Sequence, residues 1–112
     1  FAKKSYIDKN KDVIQKFTNA IYKGQQWVDR SPPEEIAKVI KPSFPDADEA
    51  LLTIVAKRYK DQDAWSKDPV MKKESLDLLQ EVIRTAGELK KEAPYDIVVD
   101  TGFAEKAMKN VK

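Results

Sequence analysis

Two stretches of this chain carry residue types at spacings that could do chemistry. Asp8-Lys9-Asn10-Lys11-Asp12 places side-chain oxygens at alternate positions, as in the opening of a calcium loop. Such a loop also needs Gly at its sixth position and a bidentate Glu at its twelfth, and here those positions hold Val13 and Asn19. The stretch therefore reads as a solvated turn and helix cap. Asp100-Thr101-Gly102 follows the apolar run Ile97-Val98-Val99, the pattern in which two paired carboxylates share a proton and hydrolyse peptides. That chemistry belongs to a β-rich architecture, whereas the residues on both sides here have helical spacing. Asp100 or Thr101 reads more simply as the cap of a last helix. With no His and no Cys, the commonest general base, thiol nucleophiles, disulfides and Cys-based zinc sites are all excluded. The expectation is a protein that is not an enzyme, with no metal and no cofactor.

Aromatic residues are the remaining candidates for contact with a small molecule. Tyr6, Trp27, Tyr59, Trp65 and Tyr95 could stack on a ligand, although aromatics at helical spacing are more often core. Trp65, in a loop, and Tyr6, in the leader, are the weak choices for ligand binding. Formal net charge is +2, from 21 basic and 19 acidic side chains that are interleaved rather than clustered. This balance gives no reason to expect nucleic acid as a partner. The longest nearly apolar run, Ala50 to Ala56, is far short of the ~20 residues that a membrane-spanning helix needs.

The elements that must position these residues are helical. Between residues 10 and 30, Val13, Ile14, Phe17, Ala20, Ile21, Gly24, Trp27 and Val28 recur at steps of three and four, with Lys11, Gln15, Asn19, Lys23 and Gln26 mostly opposite. Asn10 is placed to cap this helix. Ser31-Pro32-Pro33-Glu34 reads as a capping box for the next helix, which carries Ile36, Ala37, Val39 and Ile40 and stops at Pro42. Phe44 is the expected apolar anchor of the connector. Asp46 to Glu49 caps a third helix that runs to about Lys60. A fourth is expected from about Val70 to Ala86, with Leu76, Leu79, Val82, Ile83 and Ala86 inward and Gly87 ending it. A short helix from Gly102 to Lys109 closes an all-α, single segment over 1–112, with only three Gly and no hairpin signal.

Read end to end, the chain resembles the C-terminal part of the substrate-binding proteins for nitrate, sulfonate, taurine and thiamine-pyrimidine precursors. The resemblance rests on Phe1 to Ile7, Asn10-Lys-Asp-Val, then Phe17, Ala20, Gly24 and Trp27. It continues through Pro33-Glu-Glu-Ile-Ala, Phe44-Pro45, Arg58-Tyr59, Trp65, Asp68-Pro69, Ala86-Gly87, Pro94-Tyr95 and Asp100 with Phe103-Ala104. It implies the helical tail of a two-lobed α/β fold of the type II periplasmic binding proteins. It also implies a small-molecule solute, an ABC permease as partner, and a periplasmic or lipid-anchored cell-surface location. The strand-rich part that carries most of the pocket would lie upstream. A free-standing helical module that binds a partner protein is the competing expectation. Either way, uncovered apolar stripes imply that the isolated segment is a homo-oligomer.

Overall fold

A computed structural model of the chain describes residues 1–111. Regular structure among these residues is all helical: α1 (Lys4–Lys9), α2 (Lys11–Arg30), α3 (Pro33–Ile40), α4 (Glu49–Asp61), α5 (Lys73–Thr85), α6 (Tyr95–Val98) and α7 (Gly102–Asn110). A 3-10 turn, Lys41–Ser43, extends α3, with Pro42 inside it. The all-α expectation is met, and Ile97 and Val98 belong to the single turn α6 rather than to a strand.

Local chemistry explains most boundaries. Within the expected capping stretch Asp46 to Glu49, Asp48 caps α4 by accepting the Leu51 N–H at 2.6 Å. Gly87, at φ 79°, ends α5, with its N–H bonded to Arg84 O and that of Glu88 to Ile83 O. Three expectations need correction. Asn10 does not cap α2; its Nδ2 donates back to Tyr6 O at 2.8 Å, closing α1 instead. Ser31 does not open α3; it is the last residue of α2's end, its N–H on Trp27 O, and Pro32 takes the position before α3. Pro33 still occupies the first helical position, where its missing N–H costs nothing. Helix α5 begins at Lys73 and not near Val70, because the Val70 N–H is taken by Asp68 Oδ1 at 2.9 Å in a local turn.

Two pairs of helices carry the packing. Helices α3 and α4 bury Ile36, Ala37, Leu52 and Ala56, and α2 and α7 bury Ala104, Ala107 and Val111. Helix α5 makes only marginal contact with the other helices. The side of α2 next to α7 is the one bearing Ile14, Gln15, Thr18 and Asn19, and Gln15 Nε2 donates to Phe103 O at 3.0 Å. The expected inward stripe of α2 is therefore uncovered: Val13 is 53%, Phe17 64% and Ile21 46% exposed. Leu79 and Val82 of α5 and the supposed anchor Phe44 are exposed too. Periodicity locates an apolar face but does not supply the partner that would cover it.

The result is an open molecule. Its accessible surface is 8975 Å², against about 6,300 Å² for a compact monomer of this mass. Its radius of gyration is 16.9 Å, where a compact domain of this length has about 13 Å.

Candidate functional site

The best-formed concavity lies where the end of α2 meets the end of α4. The last turns of α2 contribute Gln25, Val28 and Asp29. The end of α4 gives Tyr59 and Lys60, and the loop beyond it gives Asp63, Trp65, Ser66 and Lys67. Its volume is about 110 Å³, room for a few waters at roughly 30 Å³ each.

Lys60 builds this corner. Its Nζ donates to the carbonyl oxygens of Val28, Asp29 and Ser31 at 3.0, 2.8 and 2.7 Å. The last carbonyls of α2 have no partner within their own helix, and the negative end of its dipole favours a cation there. A side chain from α4 thus terminates α2 and ties the two helix pairs together. All three N–H groups of this ammonium are committed to these carbonyls.

The wall opposite is aromatic. Tyr59 and Trp65 have ring centroids 5.6 Å apart and planes inclined at 41°, a tilted contact within the favourable range. The turn between them requires Asp63 to take a left-handed φ of 49°. The Asp63 N–H then bonds Lys60 O and that of Ala64 bonds Tyr59 O, the same closure that Gly87 gives α5. Lys67 reaches Asp63 at 3.4 Å as an exposed pair. Gln25 crosses the floor, its Nε2 donating to Asp68 O at 3.0 Å. Its Oε1 is sealed from solvent and has no hydrogen-bond partner.

Chemically, the corner offers two aromatic faces and the carboxylate of Asp29, which makes no ion pair among the described residues; the orphan Gln25 Oε1 is sealed beneath them. The corner offers no nucleophile held by a base. Small-molecule pockets usually run to roughly 300–1,000 Å³, so this cleft can hold one fragment of a ligand.

Of the two residues singled out for ligand binding, Trp65 lines the cleft and Tyr6 does not. Tyr6 is exposed on α1, at the far end of α2 from the cleft, and α2 is about 30 Å long at 1.5 Å per residue. Tyr59 joins Trp65, whereas Tyr95 donates its hydroxyl to Met71 O at 2.5 Å. Lys60 and Gln25 carry no sequence signal for this role, since their partners lie on other elements.

The two decoy motifs resolve as local structure. Only Asn10 separates α1 from α2, which leaves no twelve-residue loop for calcium. Among the described residues no group of three His, Cys, Asp or Glu is placed to hold a metal. Asp100 Oδ1 accepts the Gly102 N–H at 2.9 Å at the start of α7, and Thr101 Oγ1 donates to Glu105 Oε1 at 2.8 Å.

The chain is similar to a Bacillus subtilis (strain 168) protein described as "Putative binding protein YtlA". The two are 42% identical over 105 residues, which cover 94% of this chain and 31% of that protein. The chain thus spans about a third of the length of the curated relative it matches. No family model matches the chain, and no solved structure matches it. The resemblance to the nitrate, sulfonate, taurine and thiamine-precursor family is therefore overturned. The pieces that carried it are caps, prolines and small residues, and these recur wherever helices start, stop and pack closely.

Proposed function

We propose that this chain is the helical part of an extracytoplasmic solute-binding protein serving an ABC importer. It acts as a carrier and not as a catalyst. The observation that carries this reading is the open surface, some 2,700 Å² in excess of what a compact monomer exposes. Exposed apolar stripes on α2 and α5 are what helices show when the body they cover is elsewhere. The similarity over about a third of a protein named for binding supports the same view. In this reading the rest of the protein is an α/β body against which these helices seat. The corner at Tyr59 and Trp65 supplies one wall of a larger pocket for a small solute, and the permease receives that solute at the membrane. The location is periplasmic or, with a lipid anchor, the cell surface.

The same exposed faces favour a second reading, a free-standing helical module that grips a partner protein. Thermal melts of the full-length gene product across a panel of small polar solutes separate the two. The carrier reading expects one chemical class to raise the melting temperature, and Trp65→Ala to diminish that rise. A panel that leaves the melt unmoved, together with stable co-purification of a protein partner, overturns it.

A further inference from the structure

We propose that the solute seated at the corner of α2 and α4 is an organic cation, its ammonium or guanidinium head lying against Tyr59 and Trp65. This deepens the carrier reading and rests on it. Two independent observations meet at the corner. The first is aromatic. The rings of Tyr59 and Trp65, with centroids 5.6 Å apart, form one wall, yet Tyr59 is 45% exposed and Trp65 is only partly covered. A pair that served the core alone would be buried. The face of such a ring is the negative pole of its quadrupole and attracts a cation within about 6 Å of its centre.

The second observation is electrostatic. The charged side chains that line the corner are Asp29, Lys60, Asp63 and Lys67. Lys60 commits all three N–H groups to the carbonyls of Val28, Asp29 and Ser31, with its charge set against the negative end of α2. Lys67 faces Asp63 at 3.4 Å. Asp29 is exposed and has no ion-pair partner among the described residues. The charge left over is therefore negative, and it borders the same cleft as the two rings. An anion would meet instead an ammonium with no N–H left to give and a carboxylate with no counterion. A cleft of about 110 Å³ takes one small head group and leaves the remainder of the solute to the rest of the pocket.

Calorimetric titration of the full-length protein with matched probes tests the proposal. Choline, methylguanidinium and putrescine are the cations. The alcohol 3,3-dimethylbutanol is the uncharged isostere of choline, and methanesulfonate is the anion. At least one cation should bind about tenfold more tightly than the alcohol or the sulfonate, and more weakly as ionic strength rises. Asp29→Asn should weaken that cation by about fivefold or more. It should not lower the melting temperature of the empty protein, because the carboxylate has no partner to lose. Trp65→Leu should weaken the cation by about 3- to 30-fold. Tighter binding of the alcohol or the sulfonate, diminished by Trp65→Leu, overturns the cation and leaves the carrier reading standing. Cation binding indifferent to both variants overturns the corner's part in holding the head group. A protein that ignores every probe but answers to another solute class also refutes the cation, and one that answers to no solute takes the carrier reading down with it.

Discussion

The side-chain amide of Gln80 holds the backbone of Ala93 at both its polar groups. Its Oε1 accepts the Ala93 N–H at 2.6 Å and its Nε2 donates to the Ala93 carbonyl at 3.3 Å. Gln80 is only 8% exposed, the one buried residue of α5. A helix with scarcely any helical neighbour is thus fastened to the loop that follows it by a pair of hydrogen bonds, with Arg84 and Glu92 in an ion pair alongside. Gln80→Ala should destabilise this unit by about 1–3 kcal/mol, the penalty of leaving partly buried amide groups unpaired. Gln80→Glu keeps the acceptor but sets a carboxylate oxygen against the Ala93 carbonyl in a nearly buried place, and should be destabilising as well. Hydrogen exchange at the Ala93 amide reads the effect; unchanged protection in Gln80→Ala would sink the argument.

Lys60 performs the matching task for the other half of the chain. Replacing it by Met retains the stem and removes an ammonium that serves three carbonyls at the end of α2. The expected loss is about 1–3 kcal/mol, from charged hydrogen bonds and the helix dipole together. Lys57→Met is the control, since Lys57 meets only Asp61 in an exposed i,i+4 pair, a contact worth about 0.3–0.5 kcal/mol. Urea denaturation of the two variants should separate them clearly. Equal midpoints would mean that Lys60 is only another surface lysine.

One lysine has a displaced titration. Lys73 donates to Asp77 Oδ2 at 2.6 Å, and this hydrogen bond, followed by the charge of Asp77, raises its pKa above the ordinary lysine value. A folded pKa above the unfolded one stabilises the fold fully below the unfolded lysine value, and that contribution disappears as pH rises through the folded value. The pair should therefore support the first turns of α5 throughout neutral and mildly alkaline solution and fail only in strong alkali. A titration followed by NMR at the Lys73 side chain should show its midpoint falling in Asp77→Asn. A midpoint that stays in place would assign the shift to something other than Asp77.

Much of the fold was legible because it is local. The three-and-four spacing marked α2, the stretch Asp46 to Glu49 and Gly87 marked ends, and the shortage of Gly argued against hairpins. The corrections are positions where two local readings compete and a tertiary contact decides. Ser31 could open α3 or close α2, and its carbonyl is held by Lys60, which brings the end of α2 to α4. Asp68 could start a helix or a turn, and its carboxylate takes the Val70 N–H. The apolar stripe of α2 was also legible, but not its lack of cover, because periodicity does not record what lies opposite. At the cleft, aromatic content pointed to Trp65, which lines it, and to Tyr6, which does not, while nothing in the spacing preferred Tyr59 among the five aromatics. The turn that joins Tyr59 to Trp65, and the reach of Lys60 and Gln25 to other elements, had no signature in residue spacing.

Asp63 stands where the closure of α4 favours glycine. Its φ of 49° is the left-handed conformation that Gly87 supplies at the end of α5. An L-residue there carries a backbone penalty of about 1–2 kcal/mol, somewhat relieved for Asp. The exposed pair with Lys67 at 3.4 Å offsets little of it. Asp63→Gly should therefore stabilise the chain by about 0.5–1 kcal/mol, and the mirror substitution Gly87→Ala should destabilise it by a similar amount. The carboxylate of Asp63 also lines the cleft beside Trp65. If the corner serves a solute in the full-length protein, Asp63→Gly should melt higher when empty yet gain less from the solute, since strain retained at a binding wall is released at the expense of contact. Paired melts with and without solute check both halves. A variant that is less stable when empty would refute the strain argument, and one that gains as much from the solute would free Asp63 of any part in binding.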